Sequence, residues 1–194
     1  MVKVWDKTTW NISGSFCVVL AITLLMIPFP WVVSWCLASL LHELLHYLSV
    51  RICRRRVFHI QLGAGGAIMQ SEPLDPWQEV FCSLSGPLAG VMLAFAGKWF
   101  PRLAICGIFQ SLYNLLPIYP LDGGRAMRGI LAWIFRGMKG ERVADYIENC
   151  IVVVLIAIAV YSSIFLDLGL LPLIVVFSAI IRNKKPKITC KAVA

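Results

Sequence analysis

Charged residues are scarce in this sequence. Only 14% of its 194 residues are Asp, Glu, Lys or Arg, whereas an average soluble domain has about 25%. Hydrophobic residues make up 59% of the chain, and several apolar stretches approach the ~20 residues that a helix needs to cross a bilayer. This composition excludes an ordinary soluble domain and predicts an integral membrane protein.

Paired cysteines are also missing. The seven cysteines are scattered, odd in number and form no C-x-x-C pair, which excludes a disulfide framework and a zinc-thiolate site. The net charge of +8 does not point to nucleic acid, because the basic residues lie in short loops beside hydrophobic segments. We therefore expect the lipid bilayer, and no nucleic acid, as a partner.

The apolar stretches predict about six transmembrane helices. Their approximate bounds are 12–27, 31–50, 80–97, 103–120, 149–166 and 168–182. If the N-terminus is cytoplasmic, every Lys and Arg except Lys98 and Arg102 falls on the cytoplasmic side, as the positive-inside rule requires. A cleavable signal peptide is the alternative for the first stretch, but no small-x-small cleavage site follows it. We expect both termini in the cytoplasm, in a bacterial cytoplasmic-type membrane.

The loop after the second predicted helix is apolar but too short to span the membrane. Residues 57–70 contain glycines at positions 63, 65 and 66, a pattern that suits a strand or hairpin; a plain interfacial loop is the alternative. The predicted fold is thus an all-α polytopic membrane protein with a short membrane-associated β-hairpin or edge strand. We expect one domain over residues 1–194, with a core at 31–136, a cytoplasmic tail at 183–194 and neither a PDZ nor a CBS domain.

An H-E-x-x-H motif lies inside the second apolar stretch, as His42-Glu43-Leu44-Leu45-His46. On a helix the two histidines are one turn apart and face the same way, so they can hold one zinc ion. Glu43 can then act as a general base on a water molecule at the metal. A chance motif on a solvated helix face is the alternative, but this helix is apolar. Ionisable groups are costly within a bilayer and usually mark function there.

Asp122 is the second acidic residue at the inner end of a predicted span. The topology places it at a depth similar to that of His46, so its carboxylate can complete a His, His, Asp zinc site with a fourth position for water. By itself, Asp122 before two glycines is better interpreted as a turn aspartate, and it is the H-E-x-x-H motif at matching depth that favours the ligand. Asn114 precedes it in the same segment, and can either hold a substrate backbone or join helices by hydrogen bonding.

A substrate helix must unwind before its amides can be hydrolysed, and an edge strand near the metal can hold the peptide extended. We expect the glycine-containing segment, with Gly65 and Gly66, to provide that edge. The small-residue stretch at residues 85–90 is typical of close helix packing. Residues 137–148 look like a polar helical connector with an ordinary solvated face.

The HELLH and NLLPIYPLDGG segments together resemble the site-2 protease family of intramembrane zinc metalloproteases, over nearly all of residues 1–182. The aspartate segment is most similar to the sporulation branch, stage IV sporulation protein FB. The resemblance implies that His42, His46 and Asp122 bind one zinc ion and that Glu43 is catalytic. It also implies that Asn114 and Pro120 handle substrate.

The same resemblance implies a membrane-tethered or transmembrane protein substrate, such as a pro-sigma factor, and regulatory membrane partners. Leu45 and Gly90 depart from residues that are common in the family. An alternative class remains open: a proteolytically silent membrane protein that binds or transports metal or retains partners. The intact Glu43 favours the protease.

Overall fold

The fold is mostly helical with one small sheet. The computed structural model describes residues 9–63, 66–135, 138–165 and 176–177. The chain forms two compact units, Met1–Tyr113 and Asn114–Ala194, which are considered one at a time.

The first unit combines a three-stranded sheet with most of the helices. Its elements are β1 (Thr9–Ile12), α1 (Gly14–Met26), α2 (Phe29–Ile52), β2 (Val57–Gly63), β3 (Gly66–Ser71), α3 (Pro76–Phe95), a 3₁₀ turn (Ala96–Lys98) and α4 (Pro101–Asn114), whose last residue lies beyond the unit boundary. Prolines in the first turns of α2 and α3 need no hydrogen-bond acceptor there. Asp75 and Gln78 form a capping box at the start of α3.

The predicted hairpin is confirmed by the antiparallel pairing of β2 and β3. Gly66, at the start of β3, has a φ of 104°, a left-handed conformation that glycine adopts without steric cost. Strand β1 pairs with β2 in parallel and was not predicted, because four exposed residues carry little periodic signal. Ile60 of β2 packs in one buried cluster with Val50 of α2 and Cys82 of α3, so the sheet is anchored to both helices.

The second unit contains α5 (Asp122–Ile134) and α6 (Met138–Phe165). The predicted span over 103–120 is wrong at its inner end, because α4 stops at Asn114 and residues 115–121 are not helical. Pro117 and Pro120 lack the backbone N–H that a continued helix would need. Helix α5 was not predicted, since Asp122 had been placed at the end of the preceding span.

Helix α6 joins two segments that were predicted separately, the polar connector at 137–148 and the apolar span at 149–166. The prediction of an ordinary solvated face is wrong at Glu148, which is only 2% exposed. Glu148 is therefore a buried acidic residue that the sequence did not single out, as it did Glu43 and Asp122.

Six candidate membrane spans were predicted, but only two helices in the described ranges are long and apolar enough for that role. They are Pro76–Lys98 and Lys139–Phe165. Helix α1 is apolar but shorter, and α2 has sufficient length but carries His42, Glu43 and His46, which lower its hydropathy. The predicted span at 168–182 lies outside the described residues, apart from positions 176–177.

Candidate functional site

The two histidines of the motif converge within α2. The Nε2 atoms of His42 and His46 are 3.1 Å apart, and the two residues are only 3% and 8% exposed. Zinc binds imidazole nitrogen at about 2.0–2.1 Å, so a single ion can reach both atoms. The pair thus has the burial and the spacing that a shared metal ion requires.

A backbone carbonyl fixes the orientation of His46. Its Nδ1 lies 2.7 Å from the carbonyl oxygen of Cys82 in α3, and since a carbonyl can only accept, Nδ1 must donate. The lone pair of the neutral ring is then on Nε2, where a metal would bind. The hydroxyl of Ser85 lies 2.7 Å from the same carbonyl and 2.9 Å from Ser49 Oγ. These buried polar atoms hold the imidazole in a metal-binding tautomer.

Gly86 leaves space beside both nitrogens. A Cβ added there would overlap His46 Nε2 and would lie 2.8 Å from His42 Nε2. Because Gly86 has no side chain, a small cradle remains beside the two donor nitrogens. His42, His46 and Gly86 therefore fit a bound ion. Farther along α3, a Cβ on Gly90 would be 2.5 Å from the Gly107 carbonyl oxygen. The segment at 85–90 thus packs closely, as predicted, and its first glycine packs against the imidazoles.

Asp122 is the first residue of α5 in the second unit, and it is 7% exposed. A carboxylate in the first turn of a helix interacts favourably with the helix dipole. Each of its two following glycines is required by a close approach of the preceding loop. A Cβ on Gly123 would lie 2.7 Å from the Leu116 carbonyl oxygen, and one on Gly124 would lie 2.6 Å from that of Ile118. The D-G-G sequence therefore starts α5, and the loop at 115–121 packs against the two glycines of this first turn.

The remaining predicted residues are placed as follows. Glu43 is half-buried on α2, between the two histidines in sequence. Asn114 ends α4 and Pro120 lies in the loop at 115–121, both partly buried. Gly66 begins β3, whereas Gly65 is outside the described residues. The structure thus brings His42 and His46 together in the first unit, and places Asn114, Pro120 and Asp122 within one short stretch of the second.

A partly buried charge cluster beside that stretch was missed from the sequence. Arg128 Nη2 donates to Asp145 Oδ1 and to Glu148 Oε2, each at 2.6 Å. Burial by itself lowers the pKa of the Arg128 guanidinium, but its hydrogen bonds to the Glu148 and Asp145 carboxylates outweigh burial and raise that pKa. The available signal was the spacing of Asp145 and Glu148, which lie three residues apart and share one face of a helix.

This chain is similar to one peptidase family and to two zinc metalloprotease relatives. A model of Peptidase family M50 matches residues 98–158, which include the aspartate stretch, all of α5 and most of α6. Zinc metalloprotease MJ0392 of Methanocaldococcus jannaschii is 23% identical over 136 residues, covering 63% of this chain. The putative zinc metalloprotease sll0528 of Synechocystis is 28% identical over 137 residues, covering 59% of it. The chain spans only 40% and 36% of the lengths of these two relatives.

A solved structure extends the likeness to nearly the whole chain. The site-2 protease from Methanocaldococcus jannaschii superposes with a TM-score of 0.62 and 20% identity, covering 97% of this chain and 96% of that one. The chain therefore has the fold of that protease. The sporulation branch is not confirmed by these comparisons. The chain is thus similar to Peptidase family M50 over residues 98–158 and to two zinc metalloproteases over about 60% of its length, and it shares the fold of one site-2 protease.

Proposed function

We propose that this chain is an intramembrane zinc metalloendopeptidase. It hydrolyses a peptide bond of a membrane-associated or transmembrane protein near the cytoplasmic face. The observation that carries the proposal is the buried pair of Nε2 atoms, 3.1 Å apart, facing a glycine that leaves room beside both. Similarity to zinc metalloproteases supports the same reading.

The proposed ligand set is His42, His46 and Asp122, with one zinc ion per chain. Each of these side chains is buried, and each offers one ligand atom of a kind that zinc binds. Two imidazoles and one carboxylate are a known catalytic set that leaves a position for water.

The chemistry follows from this set. When bound, zinc acts as a Lewis acid toward a water molecule and the scissile carbonyl oxygen. Glu43 accepts the proton of the attacking water and returns it to the leaving amine as the peptide bond breaks. Cys82 and Ser85 keep His46 in the tautomer whose Nε2 lone pair is available. His42 and His46 need no proton transfer of their own in this cycle.

The substrate is proposed to bind as an added strand. Strand β3 is at the edge of the sheet and pairs only with β2 among the described strands. Main-chain hydrogen bonds to such an edge hold a peptide extended. Because β2 is packed on Val50 and Cys82, the sheet is fixed close to His46. Gly65 and Gly66 at the hairpin, together with Asn114 and Pro120, are proposed to handle the substrate.

A membrane location is supported by the surface of α6. Only 17% of its most apolar window is buried, compared with 50% in α3. Large apolar side chains such as Val153 and Phe165 are 66% and 68% exposed, which suits contact with lipid. We propose an integral protein of a bacterial cytoplasmic-type membrane with cytoplasmic termini, on the distribution of basic residues. Labelling of single cysteines at positions 54 and 185 should place both on the same side.

A role in sporulation is the finer proposal. Its support is the NLLPIYPLDGG form of the aspartate segment, which resembles the sporulation branch. Under this proposal the substrate is a membrane-tethered pro-sigma factor, and regulatory membrane proteins control the enzyme. Neighbouring genes that encode a pro-sigma factor would favour it, and an anti-sigma factor would favour a stress response instead.

The test is the Glu43→Gln variant, expressed with a set of single-span reporter proteins in membranes. We expect cleavage of the reporters to be lost while zinc, measured by elemental analysis of the purified protein, stays near one per chain. Loss of a general base typically costs roughly 10²–10⁴-fold in rate.

The matched control is Glu141→Gln, which changes an exposed glutamate in the first turn of α6. We expect this variant to cleave and to bind zinc as the wild type does. Undiminished cleavage by Glu43→Gln would refute the proposed mechanism.

A further inference from the structure

Glu148 makes two contacts that serve different parts of the second unit. Its Oε2 accepts from Arg128 of α5 at 2.6 Å, and its Oε1 accepts from the backbone N–H of Tyr119 at 3.0 Å. The side chain is 3% exposed. One carboxylate on α6 thus binds both a helix and the loop that leads into Asp122.

Tyr119 is held from a second direction. The Arg128 guanidinium carbon lies 5.1 Å from the centre of the Tyr119 ring, a distance at which a cation and an aromatic face attract each other. The neighbouring residues Ile118 and Leu121 are 0% and 1% exposed. The loop is therefore fixed at the Tyr119 backbone, at the Tyr119 ring and at two apolar side chains, one to four residues before Asp122.

We infer that Glu148, paired with Arg128, is a positioning residue. It holds residues 115–121 and thereby sets the place of the Asp122 carboxylate. The inference rests on the proposed function in one respect, the role of Asp122 as a zinc ligand. Asp145 contacts the same guanidinium, but its side chain is 43% exposed, so water screens its charge more than that of Glu148.

A purely structural ion pair is the competing explanation. A buried pair can often be replaced by apolar residues without loss of stability, whereas removal of one partner leaves a buried charge. The paired substitution Arg128→Met with Glu148→Leu separates the two explanations, because it removes both charges together. It keeps the volume but leaves the Tyr119 N–H without its acceptor.

The first measurement is amide hydrogen exchange of the full-length protein in detergent. We expect residues 115–121 to exchange roughly tenfold or more faster in the paired variant, since a hydrogen bond to a charged group is lost. Exchange in α2 should be unchanged. Glu148→Gln retains an acceptor for Tyr119 and should exchange within about threefold of the wild type.

The second measurement is zinc affinity by competition with a chromophoric chelator. We expect the paired variant to bind zinc roughly tenfold more weakly, as is usual when a group that orients a ligand is removed. Asp145→Ala should stay within about threefold of the wild type. In an Asp122→Ala background, the paired substitution should cause no further loss, because its effect acts through Asp122.

Two results would overturn the inference. One is unchanged exchange of residues 115–121 in the paired variant, and the other is an equal loss of zinc affinity with and without Asp122. If Asp122→Ala itself binds zinc as the wild type does, the proposed ligand set fails instead. The exchange measurement still decides whether Glu148 holds the loop.

Discussion

The two units supply their candidate ligands in different ways. In the first unit His42 and His46 lie one turn apart on one continuous helix, and with His46 oriented by the Cys82 carbonyl their Nε2 atoms are 3.1 Å apart. In the second unit Asp122 follows a non-helical loop, whose course depends on Gly123, Gly124 and the buried carboxylate of Glu148. The geometry of one helix largely sets the histidine pair, whereas polar and steric contacts outside α5 set the start of that helix at Asp122.

This difference predicts which substitutions should displace the histidine pair and which should displace Asp122. The histidine pair should tolerate changes that leave α2 and the close approach of α3 intact, because the helix itself sets the spacing. The aspartate should be sensitive to changes several residues away, because its position depends on a loop. The following variants test that contrast.

Gly86→Ala should have the largest effect. The added methyl would overlap His46 Nε2 and press on His42, so both imidazoles must move. We expect zinc affinity to fall at least about a hundredfold, measured by chelator competition. Gly14→Ala is the control, since nothing lies within 4 Å of its added Cβ. Wild-type zinc affinity in Gly86→Ala would show that the cradle plays no part in metal binding.

Gly124→Ala tests the position of Asp122 in the same way. Its Cβ would press on the backbone of Ile118 and Tyr119, which cannot move without shifting the loop. We expect zinc affinity to fall about tenfold and the free energy of unfolding to fall by about 1–3 kcal/mol. If Gly124→Ala changed neither quantity more than the control Gly14→Ala does, the dependence of Asp122 on the loop would be contradicted.

Ser85→Ala should have a smaller effect on the histidine pair. It removes a hydroxyl from the Cys82 carbonyl and from Ser49 but leaves the bond from His46 Nδ1 in place. One neutral hydrogen bond contributes about 1 kcal/mol, so zinc affinity should fall only severalfold. A loss of zinc affinity as large as that expected for Gly86→Ala would mean that the Cys82 carbonyl depends on Ser85 for its orientation.

Arg55→Ala should have the smallest effect on zinc affinity, because Arg55 belongs neither to the histidine pair nor to the loop before Asp122. Arg55 pairs with Asp75 at 3.1 Å, and the Asp75 side chain is 70% exposed. Exposed pairs contribute about 0–1 kcal/mol. The midpoint of thermal unfolding and the zinc affinity should both stay near wild-type values. A loss of zinc would indicate that the basic turn after α2 supports the histidines.

The contrast also explains what could be predicted from the sequence. The spacing of His42 and His46 and the glycine-rich hairpin are local patterns, and the structure shows both as expected. A break of the helix before Asp122 follows from Pro117 and Pro120, whereas the bond from the Tyr119 N–H to Glu148 could not be predicted, since it joins residues far apart along the chain. Glu148 was misread because burial of one charge within a polar segment is a tertiary property.

Zinc X-ray absorption of the purified full-length protein tests the central claim most directly. The account predicts two imidazole nitrogens and oxygen donors, all at about 2.0–2.2 Å, with the imidazole signal reduced in His42→Ala. Sulfur scattering at about 2.3 Å, or a spectrum that His42→Ala leaves unchanged, would place the metal elsewhere and contradict the account.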